Sequence, residues 1–554
     1  MWQGYKKFEK GSPMLKKILP SFTQLICILI IIASIFTSTK IIPVINHKRS
    51  KYKLTQNKPL ENAPPELVIA TTALGGLRAF IIDYLWLRST QLSNTGNHYE
   101  IIQLYDWIGK LEPRIPEVWS FTAWEMAYNI SITMPTPKER WRWVYGGIKQ
   151  LRDFGLFYNQ KTLKLYWDLS FMIYDKITMS SADEYHHYYQ KYWFSDWQLV
   201  LYPYDNLKKI NDAPDDFNKL NKQPKVKKII KNFKEGGFDI VNNCYKIYQE
   251  FRKLDEKIEE FRELEKKLKK LKKKQVVKIK IKRTLKELQE LDKEIKKMIK
   301  FKEKFKKIME KQNQKYIKKI LAYIVKKHIK QNFKMDPKKM FLLNEKYGNL
   351  NWRLPSCHSL YWAQEGLNIL KKKKKLKEAS VNRNLYRLKY LSLKENFEYG
   401  KILGITKERV VCVPNFSVLE PLRQYYLEVQ KRWKEVGLEN YEDFLLHAIK
   451  KCYLYNQIDT AKKYYKILKN KFHNPKYKLS FDRFVVKDIG RTINFGRQHI
   501  VEDYIISKQA EAYFYLLSGK PEKFDKLSIF VIAAFRRYKE REGKAENIKS
   551  ANRS

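Results

Sequence analysis

The chain of 554 residues carries 111 Lys and Arg against 59 Asp and Glu, which gives a formal net charge of +52, and 44% of its residues are hydrophobic. This hydrophobic content is enough for sizeable cores and excludes an intrinsically disordered chain. Five widely separated cysteines without paired spacing exclude both a disulfide framework and a cysteine-based zinc site.

The positive charge is concentrated in residues 251–330 and is carried mainly by lysine. Lysine together with abundant Ile, Asn and Tyr is the composition that an A/T-rich genome produces, whatever the protein binds. A nucleic-acid-binding protein needs a localised basic face, and the excess is not a stripe interleaved with aromatic residues. Nucleic acid is therefore disfavoured as a partner.

The first predicted element is a membrane anchor. Residues 18–39 contain no charged side chain, and the apolar character continues to residue 45. A helix of this length spans a hydrocarbon core of about 30 Å. No small-residue cleavage site follows the apolar run, so we expect residues 18–45 to be an uncleaved transmembrane segment rather than a signal peptide.

The lysines around this segment predict its orientation. Residues 1–17 contain five lysines, whereas Lys40 alone follows the apolar stretch closely. Positive charge is retained in the cytoplasm, so residues 1–17 are predicted to be a cytoplasmic segment and the remaining bulk to lie outside it. Residues 46–65, which end in a proline pair, are predicted to be a linker.

Residues 66–200 are predicted to form helical repeats of the tetratricopeptide (TPR) type. With Gly96 placed between two helices, two successive units separated by the 34-residue period carry residues of suitable size at the packing positions. These are Leu85, Ser89, Leu92 and Pro113, followed by Trp119, Ala123 and Met126. Small residues let paired helices approach, and large residues fill the gaps between them.

Two capping boxes predict further helix starts in the same region. Thr136 is followed by Pro137 and, three residues after Thr136, by Glu139; Ser181 is followed three residues later by Glu184. A Ser or Thr with Glu three residues later satisfies two backbone N–H groups at a helix N-terminus, and proline suits the first helical position. We therefore expect one helix to begin after each box.

Residues 201–335 are predicted to be a basic coiled-coil insertion, because apolar residues recur at three-and-four spacing on both sides of a lysine-rich segment. One extended helix and a solvated charged insertion remain alternatives. Residues 336–540 return to TPR-like helical repeats, in which Asn456 replaces the glycine between helices and Gly519 marks a degenerate unit. Residues 541–554 are predicted to be a disordered tail.

The strings "ATTALGGLRAFIIDYLWLR", "YEIIQLYDWIGKLEPRIPEVWSFTAWEMAYNIS", "RWRWVYGGIKQLRDFGLFYN" and "YGNLNWRLPSCHSLYWA" resemble an uncharacterised family of bacterial membrane-anchored TPR-like proteins. The resemblance covers most of residues 65–200 and returns in pieces between 340 and 535. It implies an all-α protein: an N-terminal transmembrane helix followed by an α-solenoid that the basic insertion interrupts. It also implies a single-pass protein of the bacterial inner (cytoplasmic) membrane, with its bulk on the periplasmic side, and no catalytic residue.

These features predict a scaffold that binds other proteins at the cell envelope. In TPR arrays the first helix of each unit faces the bound partner. The positions that correspond here are Asp83, Trp86, Thr90, Asn94, Glu117, Ser120, Trp124 and Tyr128. Carboxylates and tryptophans favour a cationic or aromatic segment. The alternative at these positions is structural: Asp83 would pair with Arg88, and the tryptophans would belong to the core.

Two other functions stay open. The basic coiled coil could tether the protein to an anionic membrane surface or to nucleic acid if it lay on the cytoplasmic side, which the predicted orientation disfavours. It also permits self-association. An enzyme would need a site assembled from distant residues, because no known catalytic motif is present. Cys357 and His358 are adjacent, yet neighbours on a helix diverge by about 100°, so we expect both to be structural. No catalytic, cofactor-binding or metal-binding residue is predicted.

Overall fold

The computed structural model describes residues 13–51, 77–273, 278–372, 379–405, 410–432 and 438–485, together with scattered positions between 505 and 536. The chain divides into two compact units, Met1–Ile81 and Ile82–Ser554. The predicted linker from residue 52 onward and the predicted tail lie outside the described residues. The described part is almost entirely helical, which confirms the all-α prediction.

The first unit contains one long helix, α1 (Pro13–Lys51). The predicted transmembrane segment lies within it, although the side chains of residues 13–25 are outside the described set. From Leu29 to Ile45 the aliphatic and Phe side chains are exposed. Among the described residues, no helix combines the length and the hydropathy that a membrane crossing requires.

The second unit starts within α2 and continues with further helices. They are α2 (Leu77–Thr95), α3 (His98–Leu111), α4 (Pro116–Trp124), α5 (Pro137–Lys149), α6 (Leu163–Ile177) and α7 (His186–Leu201). Helix α4 continues through a π-helical turn, Glu125–Ile130, to Ser131–Thr133; α5 continues through a second, Gln150–Gly155, to Leu156–Tyr158.

The remaining helices follow in chain order. They are α8 (Leu207–Asp212), α9 (Phe217–Asn221), α10 (Pro224–Glu235), α11 (Ile240–Lys273), α12 (Lys278–Glu310), α13 (Gln314–Asn332), α14 (Pro337–Tyr347), α15 (Pro355–Lys372), α16 (Ala379–Tyr399), α17 (Leu419–Arg432), α18 (Tyr441–Leu454) and α19 (Ile458–Lys471). Proline occupies the first turn of α4, α5, α10 and α14, where its missing N–H has no intrahelical partner to lose.

One of the two capping boxes is confirmed. Thr136 precedes α5, and its Oγ accepts a hydrogen bond from the N–H of Glu139. The second box is wrong: Ser181 Oγ accepts from the N–H of Asp183 in a turn, and α7 begins only at His186. The difference arises because Ser and Asp side chains also stabilise non-helical turns.

Helices α11 and α12 form an antiparallel hairpin. Phe251 on α11 packs against Phe301 and Phe305 on α12. Lys257, further along α11, pairs with Glu294, which precedes Phe301 on α12, so the two helices run in opposite directions. The residues spaced at three and four form the apolar contacts between these two helices. The core of the hairpin is Leu254, Leu291 and Ile295, flanked by Ile258, Phe261, Leu264 and Met298. The other described helices of the range predicted as a coiled-coil insertion are not coiled coil: with Leu207, Ile229 and Ile320, they pack in the main core.

The structure also contains a short β-hairpin that the all-α prediction omitted. Strand β1 (Lys401–Ile405) pairs with β2 (Val410–Val413) in an antiparallel two-stranded sheet. The register shifts between Ile402 and Gly404, which leaves Leu403 unpaired as a bulge. The β-branched residues of β2 are partly or fully buried, which is what favours a strand there over a helix.

Candidate protein-binding face

Six of the seven predicted packing positions are buried, and Leu92 is half-buried. The six are Leu85, Ser89, Pro113, Trp119, Ala123 and Met126. The glycine position between the helices is also confirmed.

Gly96 has φ 75°, Asn456 has φ 58° and Gly519 has φ 70°. This left-handed conformation suits glycine and, among other residues, asparagine best.

Helices α4 and α5 approach closely because small residues lie at their contact. A Cβ on Gly147 would lie 2.6 Å from the carbonyl oxygen of Ala123. The Cβ of Gly109 would likewise collide with the ring of Trp119, whose Nε1 donates a 2.9 Å hydrogen bond to the carbonyl of Pro113. These contacts fix the orientation of α4 and therefore the direction in which its outer side chains point.

The predicted partner-binding residues on α4 and its extension lie along one side of the helix. Trp124 is 40% exposed and stacks on Tyr128, with ring centroids 4.0 Å apart. Glu117 is exposed and Ser120 is half-buried. The π-helical turn that begins at Glu125 carries Tyr128, and such turns occur often at functional sites.

The predicted residues on α2 are less closely connected to this surface. Trp86 packs edge-on against Phe121, 5.1 Å away, so the two helices share one aromatic contact. Asp83 and Thr90 are exposed. The side chain of Asn94 lies outside the described residues. Arg88 pairs with Glu100 rather than with Asp83, so the structural alternative for Asp83 is wrong.

Helix α6 completes the surface with aromatic residues that the repeat pattern did not single out. The ring of Phe171 stacks parallel to Trp124 at 6.4 Å and packs on Trp167 at 5.2 Å. We call the resulting surface the aromatic face. Its members are Trp86, Phe121, Trp124, Tyr128, Trp167 and Phe171. The sequence pattern that could have identified Trp167 and Phe171 is their i, i+4 spacing, which places both rings on one side of a helix.

Polar groups border the aromatic face on α6. Lys164 Nζ lies 2.8 Å from Asp168 Oδ2 and also donates to Ser120 Oγ. Burial raises the pKa of Asp168, and Lys164 partly opposes that rise. Tyr128 donates a 3.0 Å hydrogen bond to Asp175, and burial raises the pKa of its hydroxyl. The border therefore combines fixed carboxylates with two ammonium groups: the half-exposed Lys164 and the buried Lys176, whose Nζ lies 4.4 Å from the centroid of the Tyr128 ring.

The strongest alternative site is a pair of buried carboxyl groups on α16. Burial raises the pKa of Glu395 to about 7, although it accepts hydrogen bonds from Met179 N and Ser180 Oγ. Burial also acts to raise the pKa of Glu398, but His447, whose Nε2 lies 2.9 Å from Glu398 Oε1, and nearby lysines lower it to about 2.

The cavity beside Glu395 is too small for a substrate. Its volume is about 10 Å³, which is the space that one water molecule needs. Gln190 and Cys412 also line it, and Gln190 Nε2 is buried without a hydrogen-bond partner among the described residues. A single water bridging Gln190 and Glu395 is the occupant that this cavity accommodates.

Cys357 and His358 have separate structural partners. Cys357 Sγ donates to the carbonyl of Asn351 at 3.1 Å, and burial raises the pKa of its thiol. His358 Nε2 lies 2.8 Å from the carbonyl oxygen of Trp352, and burial lowers the pKa of the imidazole to about 3. A neutral, hydrogen-bonded histidine and a protonated thiol form no nucleophile–base pair.

Within the described ranges, no group of three or more His, Cys, Asp or Glu residues could hold a metal ion. The aromatic face carries exposed rings, among them Phe121 and Trp124, that the packing of the helices does not require. A scan against models of known protein families, a search of curated proteins and a search of solved structures each found no match for this chain.

Proposed function

We propose that this chain is a TPR-like scaffold, anchored in a bacterial inner membrane by α1, that binds a partner protein through the aromatic face. The observation that carries the proposal is the stack of Trp124 with Tyr128 and Phe171, in which the Trp124 ring remains 40% exposed. Stacked aromatic side chains at a surface are rigid, and they supply large contact area with little loss of conformational entropy.

The chemistry around the face favours a cationic or aromatic segment as its partner. Glu117 and Asp175 supply carboxylates beside the rings, and Asp83 is exposed on α2. An ammonium or guanidinium group placed over an exposed tryptophan gains up to about 2 kcal/mol when water is excluded. The exposed carboxylates of Glu117 and Asp83 would attract such a group.

Two observations support anchoring by α1. Residues 18–39 carry no charge, and the aliphatic side chains from Leu29 to Ile45 are exposed on the described helix. A row of exposed isoleucines is unfavourable in water and favourable in lipid. The five lysines before the apolar stretch favour a cytoplasmic N-terminus, which would place the aromatic face outside the cytoplasm.

A displayed library of random dodecapeptides tests the binding function directly. The full chain in detergent would be immobilised, and peptides would be selected on it. The same selection would be run on Trp124→Ala and on Trp107→Ala, since Trp107 on α3 is 45% exposed and serves as a matched control. We expect enriched peptides that contain Lys or Arg beside an aromatic residue.

The two variants distinguish binding at the aromatic face from non-specific binding to any exposed tryptophan. We expect Trp124→Ala to weaken the binding of an enriched peptide by at least about tenfold, because a central tryptophan contributes 2 kcal/mol or more at an interface. Trp107→Ala should leave the affinity unchanged. Equal losses in both variants, or enrichment of acidic peptides, would show that the aromatic face is not the binding site.

A further inference from the structure

The end of the α11–α12 hairpin has an unusual distribution of charge. Of the 21 residues from Lys266 to Lys286, twelve are Lys or Arg and none is Asp or Glu. Nearer the base, both helices mix the two signs. Arg252 lies 3.2 Å from Glu256, and Lys302 lies 3.6 Å from Asp255. The basic excess of the insertion is therefore localised at one end of the hairpin.

The described lysines at this end face solvent. We call them, with one arginine, the basic tip, which comprises Lys266, Lys267, Lys269, Lys270, Lys282 and Arg283. No ion pair connects the four lysines of α11 to a carboxylate among the residues that the structure describes. Arg283 is 83% exposed and has Glu287 at 3.4 Å. The side chains of residues 271–281 lie outside the described set.

The hairpin carries the basic tip away from the rest of its unit. Phe251 and Phe305 belong to the main hydrophobic core, whereas Leu254, Leu291 and Ile295 form a separate small cluster between the two helices. From Phe251 to Lys273 a helix advances about 33 Å at 1.5 Å per residue. The tip therefore lies far enough from the core to meet a flat surface without steric interference.

The composition favours a lipid surface over nucleic acid. No aromatic residue lies between Phe261 and Phe301, so the stacking groups that bind single-stranded nucleic acid are missing. Eleven of the twelve cations are lysine, whereas bidentate recognition of phosphate favours arginine. The remaining residues of the segment are mostly Leu, Ile and Val, and lysine interspersed with aliphatic residues is typical of sequences that lie at a membrane interface.

We propose that the basic tip binds the surface of a bilayer that contains anionic phospholipid. Lysine ammonium groups would lie among the headgroup phosphates and carboxylates, while Leu285, which is exposed at the same end of the hairpin, adds apolar contact. This binding depends neither on the aromatic face nor on insertion of α1. It adds a second, charge-dependent lipid contact to the proposed scaffold.

A fluorophore placed beside the tip measures this contact separately from any insertion of α1. The full chain would carry Cys27→Ser and Glu265→Cys, labelled with an environment-sensitive dye at the exposed position 265; the other native cysteines are buried. Vesicles of phosphatidylcholine, with and without phosphatidylserine, would be added. We expect a blue shift of emission only with phosphatidylserine, and its reversal at high salt.

Two charge variants provide the matched comparison. The tip variant replaces Lys266, Lys267, Lys269 and Lys270 with Gln. The control replaces four exposed lysines that already have a carboxylate partner, namely Lys231, Lys253, Lys296 and Lys306. Both variants lose the same net charge. We expect the vesicle concentration at half-maximal shift to rise at least about tenfold in the tip variant and less than about twofold in the control.

Any of three other outcomes would overturn the proposal. Equal loss in the two variants would mean that overall charge, rather than the tip, drives association. A shift that is as large with neutral vesicles would mean that apolar insertion alone moves the dye. A shift with duplex DNA or single-stranded RNA, but not with phosphatidylserine vesicles, would identify the tip as a nucleic-acid site. None of these results bears on peptide binding by Trp124.

Discussion

Ser170 and Ser359, which lie 189 positions apart in the sequence, exchange hydrogen bonds between α6 and α15. Ser170 Oγ donates to the carbonyl of Ser359 at 2.7 Å, and Ser359 Oγ donates to the carbonyl of Ser170 at 2.9 Å. Both residues are fully buried. A helix that precedes the predicted insertion thus packs directly on a helix that follows it. The helices before residue 200 and those after residue 336 share one core, into which much of the predicted insertion also packs.

This contact predicts the effect of a larger side chain at Ser359. We expect Ser359→Val to lower the free energy of unfolding by about 1–3 kcal/mol, because it adds volume to a close helix contact and removes the acceptor for Ser392 Oγ, 2.9 Å away. Urea denaturation followed by circular dichroism would measure the change. Ser93→Val, at an exposed position on α2, should change it by less than about 0.5 kcal/mol.

The close approach of α4 and α5 predicts that Gly147→Ala is destabilising. The added Cβ would lie 2.6 Å from the backbone oxygen of Ala123, which cannot rotate away, so we expect a loss of about 1–3 kcal/mol. Gly404→Ala provides a control, since no atom lies within 4 Å of its Cβ position. Equal stability of the two variants in thermal unfolding would show that the helices separate at little cost.

Local sequence patterns predicted the inter-helix positions Gly96 and Asn456 and the small packing residue Ala123, because the physics behind them is local. Gly96 and Asn456 mark left-handed positions, and few residue types occupy that region of backbone space. Gly147, which lies against Ala123, was not singled out in the sequence; the structure identifies it, because a side chain there would collide with the carbonyl oxygen of Ala123.

The aromatic face was only half predicted, because its other half depends on tertiary structure. Trp124 follows from the repeat numbering, whereas Phe171 joins it only because α4 and α6 lie side by side. The β-hairpin at β1 was missed for a related reason, since short apolar runs do not distinguish a strand from a buried helix. Ser181 failed as a helix cap because the same side chain also stabilises a turn.

Glu395 predicts a distinctive pH dependence. Burial raises its pKa from an ordinary 4.5 to about 7, so between these values the folded protein holds a proton that the unfolded chain releases. The stability that this carboxyl contributes is present below pH 4.5 and decreases as the pH rises towards 7. The free energy of unfolding of Glu395→Gln, relative to that of the wild type, should therefore rise by about 3 kcal/mol as the pH increases across this interval. Urea titrations across the interval would measure that difference.

Glu398 provides a control of opposite sign. Its pKa is lowered to about 2, so its ionised form stabilises the fold above the ordinary carboxyl pKa, and that contribution is lost as the pH falls towards 2. Glu398→Gln should be less stable than wild type at neutral pH, and the difference should shrink on acidification. If both variants showed the same pH trend, the environments assigned to these two carboxyl groups would be wrong.

The topology of the chain decides which partners the aromatic face can meet. Cys27 is the one exposed cysteine among the described residues, and the other four are buried. A Cys27→Ser, Lys371→Cys variant therefore presents a single reactive thiol at the exposed end of α15. We expect a membrane-impermeant maleimide to label it in intact bacterial spheroplasts, because the lysines before the apolar stretch favour a cytoplasmic N-terminus.

The parent variant, Cys27→Ser alone, controls for labelling of the buried cysteines and should remain unlabelled. Labelling of Lys371→Cys only after permeabilisation would place the second unit in the cytoplasm. In that arrangement the basic tip would face the anionic cytoplasmic leaflet, and the aromatic face would meet cytoplasmic rather than envelope partners. The same thiol thus tests the orientation of the anchor and, with it, the compartment in which both proposed contacts occur.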